Sequence, residues 1–188
     1  MTIYYSYDFK SEKGESHKLL EKAIGLHIGD EQKAAELVGS MYSCTELGKP
    51  TIDGFDDFSI SHNGNCWAVL IAGSTCGLDV QYTRSGLDPS RIAKRYYAAE
   101  EQKSVADNKE DNYEFFRIWA RREALVKSVG TTIVNSDLPC VLGSRVEFED
   151  RVWVLRDLDF PQAESVTEER LAAAVCIEAD EEVTYVRI

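Results

Sequence analysis

Three short runs hold polar groups where packing alone would not put them. In Gly77-Leu78-Asp79-Val80-Gln81 the two-residue period of a strand sends Leu78 and Val80 to one face and Asp79 and Gln81 together to the other. Two oxygen-bearing side chains on one side are either the wet face of a half-buried sheet or, given a third oxygen, a site for a hard divalent cation. Along Phe115 to Lys127, residues four apart stack into one stripe, Phe115, Trp119, Glu123 and Lys127, aromatic at its start and charged at its end. One reading is a solvated i,i+4 pair worth about 0.2–0.5 kcal/mol. The other has the aromatic half anchoring a helix while Glu123 supplies the third oxygen and Lys127 an ammonium for phosphate. In Phe58-Ser59-Ile60-Ser61-His62-Asn63-Gly64, inward Phe58 and Ile60 leave Ser61 and His62 at a strand end, where they either complete a turn or meet an anion. The run itself contains no carboxylate, which argues against a Ser-His-Asp hydrolase.

The elements that must position these groups are mixed. A strand is expected from Thr2 to Phe9, then an amphipathic helix from His17 to Leu26 and a second, capped by Asp30, from Glu31 to about Met41. Gly48-Lys49-Pro50 breaks the pattern. Strands are expected at Phe58 to Ser61, Cys66 to Ala72 and Gly77 to Tyr82, joined by turns at Asn63-Gly64-Asn65 and Gly73-Ser74. Asp88-Pro89 opens a helix to about Tyr97, a short one follows from Ala99 to Val105, and the strongest runs from Asn112 to Val129 with Gly130 as its left-handed cap. Strands are then expected at Arg145 to Phe148, Val152 to Leu158, Leu171 to Ile177 and Val183 to Arg187. This order predicts an α+β fold, helices on antiparallel sheet, in one domain over residues 1–188.

Charge and composition narrow the function further. The chain has 188 residues, with 21 Lys and Arg against 33 Asp and Glu, a net charge of −12, which argues against a nucleic-acid surface. The acidity lies in the flanks: residues 84–127 carry +2, whereas 1–83 carry −6 and 128–188 carry −8. Arg91, Lys94, Arg95, Arg117, Arg121, Arg122 and Lys127 are therefore either a solvated helix face or a patch for an anionic ligand or partner. The five cysteines are scattered without a C-x-x-C pair, so buried free thiols are expected rather than a disulfide framework or zinc site. No G-x-S-x-G, Walker A or G-x-G-x-x-G string occurs, which leaves carboxylates, amides, lysines and a hard metal as the means of catalysis. The longest apolar stretches are too short to span a bilayer and no basic leader opens the chain, so a soluble cytoplasmic protein is expected.

Taken in order, Gly48-Lys49-Pro50, Ser61-His62, Gly77-Leu78-Asp79-Val80-Gln81, Arg95-Tyr96-Tyr97 with Glu101, and Trp119-Ala120-Arg121-Arg122-Glu123-Ala124-Leu125-Val126-Lys127 resemble the motifs of the surfactin-type 4′-phosphopantetheinyl transferases. The run Leu171 to Cys176 is similar to the family's final core strand. The resemblance implies the transferase fold of two pseudo-symmetric lobes, here about 1–75 and 76–188, acting as a monomer. It implies transfer of the phosphopantetheine arm of coenzyme A to a serine of an apo acyl or peptidyl carrier protein, with magnesium, releasing adenosine 3′,5′-bisphosphate. Asp79, Gln81 and Glu123 would then face the metal; Lys127 would neutralise phosphate charge; and Glu123, or a water on the metal, would take the serine proton. Lys49, Pro50, Ser61, His62, Arg122 and Lys127 would contact the coenzyme. Two departures stand out: Gln81 replaces the family's usual second acid, and only 47 residues precede Gly48, which implies a trimmed first lobe. The alternative they raise is a relative that binds coenzyme A or a carrier protein without efficient turnover. A magnesium-dependent phosphodiesterase on Asp79 and Glu123 is a third reading.

Overall fold

The computed structural model describes residues 1–108, 112–134, 137–161 and 169–188. Its first sheet places β1 (Thr2–Ser6) between β5 (Cys66–Ala72) and β10 (Thr184–Arg187), with β4 (Asp57–Asn63) on the far side of β5. The second sheet has the order β6 (Cys76–Tyr82), β9 (Leu171–Ile177), β8 (Arg151–Asp157), β7 (Arg145–Phe148). Every pairing in the two sheets is antiparallel except that of β1 with β10. The α+β fold of two helix-covered antiparallel sheets is thus as expected. The chain end, Thr184–Arg187, returns to the first sheet and pairs with β1.

The two sheets share an apolar interior, and this explains why β5 and β9 read as continuous apolar runs rather than alternating ones. Ala68 and Leu70 of β5 meet Leu78 and Val80 of β6 and Ala173 and Val175 of β9 between the sheets. The opposite face of β5, Trp67, Val69 and Ile71, packs on Leu20, Ala23 and Ile24 of α1 (Glu15–Ile28). The opposite face of β9, Ala172, Ala174 and Cys176, packs under α5 (Tyr113–Val129). The layers are therefore helix, sheet, sheet, helix.

Local sequence accounts for the helix ends. Asp30 accepts from Lys33 N at 2.9 Å to start α2 (Glu31–Glu36), and Asp88 accepts from Arg91 N at 3.2 Å to start α3 (Pro89–Tyr96). Gly130 ends α5 in the left-handed conformation, φ 76°. The expected helix to Met41 changes character: after Glu36 it widens to a π-turn over Leu37–Met41, where Ser40 Oγ donates to the Glu36 carbonyl at 2.6 Å and Gly39 weakens the α geometry. β2 (Tyr42–Cys44) and β3 (Pro50–Ile52) form a small hairpin whose turn holds Gly48 and Lys49. The strand expected to reach Phe9 stops at Ser6, and α4 (Ala99–Asp107) runs two residues past Val105. All five cysteines are free.

Candidate functional site

β6 is an edge strand: among the described residues its only strand partner is β9, so the N–H groups of Cys76, Leu78, Val80 and Tyr82 point away from its own sheet. Side chains of β4 take all four. Asp57 Oδ2 accepts from Cys76 N at 2.8 Å, Ser59 Oγ from Leu78 N at 2.9 Å, Ser61 Oγ from Val80 N at 3.2 Å and Asn63 Oδ1 from Tyr82 N at 3.4 Å. Two edge carbonyls are met by lysines: Lys49 Nζ donates to Cys76 O at 3.1 Å and Lys127 Nζ to Leu78 O at 2.9 Å. The polar period-two series Asp57, Ser59, Ser61, Asn63 thus stitches the first sheet to the second. That series is visible in the sequence, yet reading Phe58 and Ile60 as the inward face hid it. In the fold Ser59 and Ser61 are buried, while Ile60 is half-buried.

Asp79 sits at the centre of this seam, 2% exposed. Its Oδ1 accepts from Ser61 Oγ at 2.8 Å and Lys127 Nζ at 2.7 Å, and its Oδ2 accepts from Gln81 Nε2 at 2.9 Å. Lys127 therefore pairs with Asp79 rather than with Glu123, and the simple surface pair along the helix does not form. Glu123 is half-buried, and no hydrogen-bond donor meets it among the described residues. Burial and then the charge of Asp79 raise its carboxyl above the ordinary range, against the opposing pull of Lys127. A carboxylate left without a donor beside another carboxylate is the donor chemistry of a hard divalent cation, and Asp79 and Glu123 fit magnesium in that respect. Gln81 does not add to the set as it stands, since its nitrogen faces Asp79 and its oxygen accepts from Asn63 Nδ2 at 3.0 Å. Among the described residues there is no cluster of three His, Cys, Asp or Glu able to hold a metal.

Glu123 and Lys127 open onto a cleft of about 460 Å³. Its walls are the Gly48-Lys49-Pro50 turn, Ser59 and Ile60 of β4, Tyr96 of α3, Trp119 of α5, and residues 130–134. α5 is buried on most sides, so the stripe of Trp119, Glu123 and Lys127 is the rib left facing this space. Phe115, at the head of the same stripe, turns into the core and stacks on Tyr97 with ring centroids 5.4 Å apart.

Gly77, at the head of the Asp79 strand, explains how α5 comes so close. A Cβ there would lie 2.0 Å from the Ala124 carbonyl oxygen. Residues 75–176, more than half of the chain, match the 4′-phosphopantetheinyl transferase superfamily. The chain belongs to that superfamily. No curated protein matches it individually. The superfamily's activity is transfer of phosphopantetheine from coenzyme A to carrier proteins, and the matched segment contains Asp79, Gln81, Glu101, Glu123 and Lys127.

Several coenzyme contacts expected from the superfamily's motifs are placed differently. Arg122 lies on the core side of α5, 3% exposed, where Nη1 donates to Glu101 Oε2 at 2.7 Å. Its guanidinium is committed there, and among the described residues Arg122 does not line the cleft that Glu123 faces. Glu101 is fully buried and also accepts from Ala98 N and Val141 N, so this ion pair locks α4, α5 and the following loop together. Ser61 spends its hydroxyl on Asp79 and Val80 N instead of an anion, and His62 points the other way, exposed, 4.9 Å from the Phe9 ring. Lys49 reaches the cleft, but its ammonium is paired with Asp57 Oδ2 at 2.6 Å; Pro50 beside it opens β3.

The basic middle segment also divides. Arg117 bonds Glu114 and Asp157, and Arg121 bonds Asp157 and the carbonyls of Val141 and Gly143, so both serve packing. Arg91, Lys94 and Arg95 are exposed on α3, and no ion pair occupies them among the described residues. No helix among the described residues is long and apolar enough to cross a membrane.

Proposed function

We propose that this chain is a surfactin-type transferase that moves 4′-phosphopantetheine from coenzyme A to a serine of an apo acyl or peptidyl carrier protein, with magnesium held by Asp79 and Glu123. The observation carrying this reading is that Glu123 and Lys127 face one cleft while Lys127 also grips Asp79, so two acids and an ammonium converge where a pyrophosphate would lie. A magnesium ion bound there would neutralise pyrophosphate charge. Lys127 would stabilise the charge growing on the departing phosphate oxygen. The carrier serine oxygen forms a bond to the pantetheine-side phosphorus, the bond from that phosphorus to the bridging oxygen breaks, and adenosine 3′,5′-bisphosphate leaves. Glu123 would take the serine proton. Gly48, Lys49 and Pro50 would line the coenzyme's path through the cleft. Arg91, Lys94 and Arg95, close in sequence to the cleft residue Tyr96, would meet an acidic carrier. With both lobes bordering the cleft, Pro50 and Ile60 from the first and Glu123 and Lys127 from the second, the active unit would be a monomer in one domain of two lobes.

The test is to incubate purified protein with magnesium, coenzyme A and a broad panel of apo carrier proteins and to read each carrier by intact mass. A phosphopantetheine gain on at least one carrier is expected, with loss of the gain in Glu123→Ala; no gain on any carrier would sink the proposal. A second reading, binding without efficient turnover, is favoured by Gln81 donating to Asp79 where the superfamily usually has an acid. It predicts coenzyme A binding by calorimetry without transfer, and transfer restored by Gln81→Glu. Turnover by the unaltered chain would exclude it.

A further inference from the structure

The Gln81 amide is held at both ends, and what holds its oxygen is itself anchored to backbone. Tyr82 N can only donate, and it donates to Asn63 Oδ1 at 3.4 Å. Asn63 must then present Nδ2 to Gln81, whose Oε1 accepts it at 3.0 Å. Gln81 in turn has only Nε2 to offer Asp79 Oδ2, at 2.9 Å. Both ends fix the same direction: the Tyr82 N–H on the edge of β6 can only donate, and the Asp79 carboxylate can only accept. Turning Gln81 over would set its nitrogen against the nitrogen of Asn63, donor facing donor, while Asn63 stays fixed by Tyr82.

We propose that Asn63 is a positioning residue that holds the Gln81 amide with its nitrogen toward Asp79, and so keeps the amide oxygen from serving a divalent cation at the Asp79–Glu123 site. The inference rests on the reading of Asp79 and Glu123 as cation ligands. It assigns the cost of replacing an acid by Gln81 to a neighbour on another strand. A glutamate at 81 would present oxygen whichever way it turned and could still accept from Asn63, so the lock matters only to an amide. Without Asn63 the Gln81 oxygen is released to turn toward the cation, at the loss of one hydrogen bond.

The experiment measures Mn²⁺ binding to the full-length, metal-stripped chain by the loss of the free-ion electron paramagnetic resonance signal. Four proteins are compared: the parent, Asn63→Ala, Gln81→Glu and the double variant. Asn63→Ala is expected to tighten Mn²⁺ binding about two- to tenfold, the span of one net hydrogen bond. In the Gln81→Glu background, itself tighter than the parent, the same change is expected to leave affinity within about twofold. Asn63→Ser, which keeps an acceptor for Tyr82 N–H but is too short to restrain Gln81, should reproduce the gain if alanine impairs folding, as checked by thermal melting. Equal effects in both backgrounds, or no gain in Asn63→Ala and Asn63→Ser while Gln81→Glu binds tighter, would overturn the amide lock alone. Failure of every variant, Gln81→Glu included, to bind Mn²⁺ would overturn the cation reading and this proposal with it.

Discussion

Replacing Gly77 with alanine would put a Cβ 2.0 Å from the Ala124 carbonyl oxygen, 2.6 Å from Ser128 Oγ and 2.8 Å from Ser128 N. Real Cβ atoms do not come within 3.0 Å, so α5 must retreat by at least 3.0 − 2.0 = 1.0 Å at Ala124. Rotating side chains cannot relieve this, because two of the three atoms are backbone. Ser128 Oγ is also committed, its one hydrogen shared between Ala124 O at 3.0 Å and Cys176 O at 2.9 Å. Overpacking of this kind costs about 1–3 kcal/mol, which lowers the melting temperature by roughly 2–12 °C in a chain of this size. Function should suffer more than stability. Ala124 lies between Glu123 and Lys127, and the 2.7 Å bond from Lys127 to Asp79 bridges the interface being pushed apart. A shift of about 1 Å in a catalytic group is worth on the order of 10²-fold in rate. The assays are thermal melting by circular dichroism and kcat/KM for transfer to a carrier that the parent modifies. Gly73→Ala is the control, since no atom lies within 4 Å of its added Cβ. If Gly77→Ala keeps its melting temperature within about 1 °C and its kcat/KM within about twofold of the parent, the close approach of α5 to β6 does not set the site's geometry.

Arg122→Ala leaves the fully buried Glu101 carboxylate without its cation and should cost about 3–5 kcal/mol in urea unfolding; a loss below about 1 kcal/mol would return Arg122 to the cleft. Burial and Asp79 raise the Glu123 carboxyl, so the folded chain holds that proton more tightly than the unfolded one. Its contribution to stability is therefore full at low pH and is lost as pH rises from the ordinary 4.5 through the raised folded value. With divalent cations chelated, Glu123→Gln should melt above the parent at pH 8, and the difference should shrink as pH falls toward 4; a constant difference would show that the carboxyl is not perturbed. Arg91→Glu and Arg95→Glu should weaken calorimetric binding of an acidic apo carrier by about three- to tenfold each while changing coenzyme A binding less than twofold, and equal losses would mean that α3 serves the coenzyme instead.

Much of the fold was legible because periodicity and punctuation suffice for it. Cys66–Ala72 and Leu171–Ile177 are continuous apolar runs, and strands of that kind need cover on both faces, which the helix, sheet, sheet, helix layering supplies. Asp30, Asp88-Pro89 and Gly130 marked helix ends because caps act through local hydrogen bonds and local φ. Less legible were pairings between distant segments. Nothing local says that Thr184–Arg187 returns to β1, or that β4 meets the free edge of β6 through side chains rather than through its backbone.

The same division runs through the site. Residue types and spacing alone brought Asp79 and Gln81 to one face of a strand and Glu123 and Lys127 to one rib of a helix, since both follow from the periods of local structure. Which partner each group takes was decided only by tertiary packing. Lys127 and Ser61 go to Asp79 because β6 is an edge strand whose unpaired groups must be met. Arg122 goes to Glu101 because α5 is covered on the side away from the cleft. Gln81 turns its nitrogen to Asp79 because that carboxylate can only accept, and an N–H on another residue sets Asn63 to donate to the amide's other end. A sequence carries each side chain's capacity to donate or accept, but which capacity is used depends on neighbours that only the folded chain supplies.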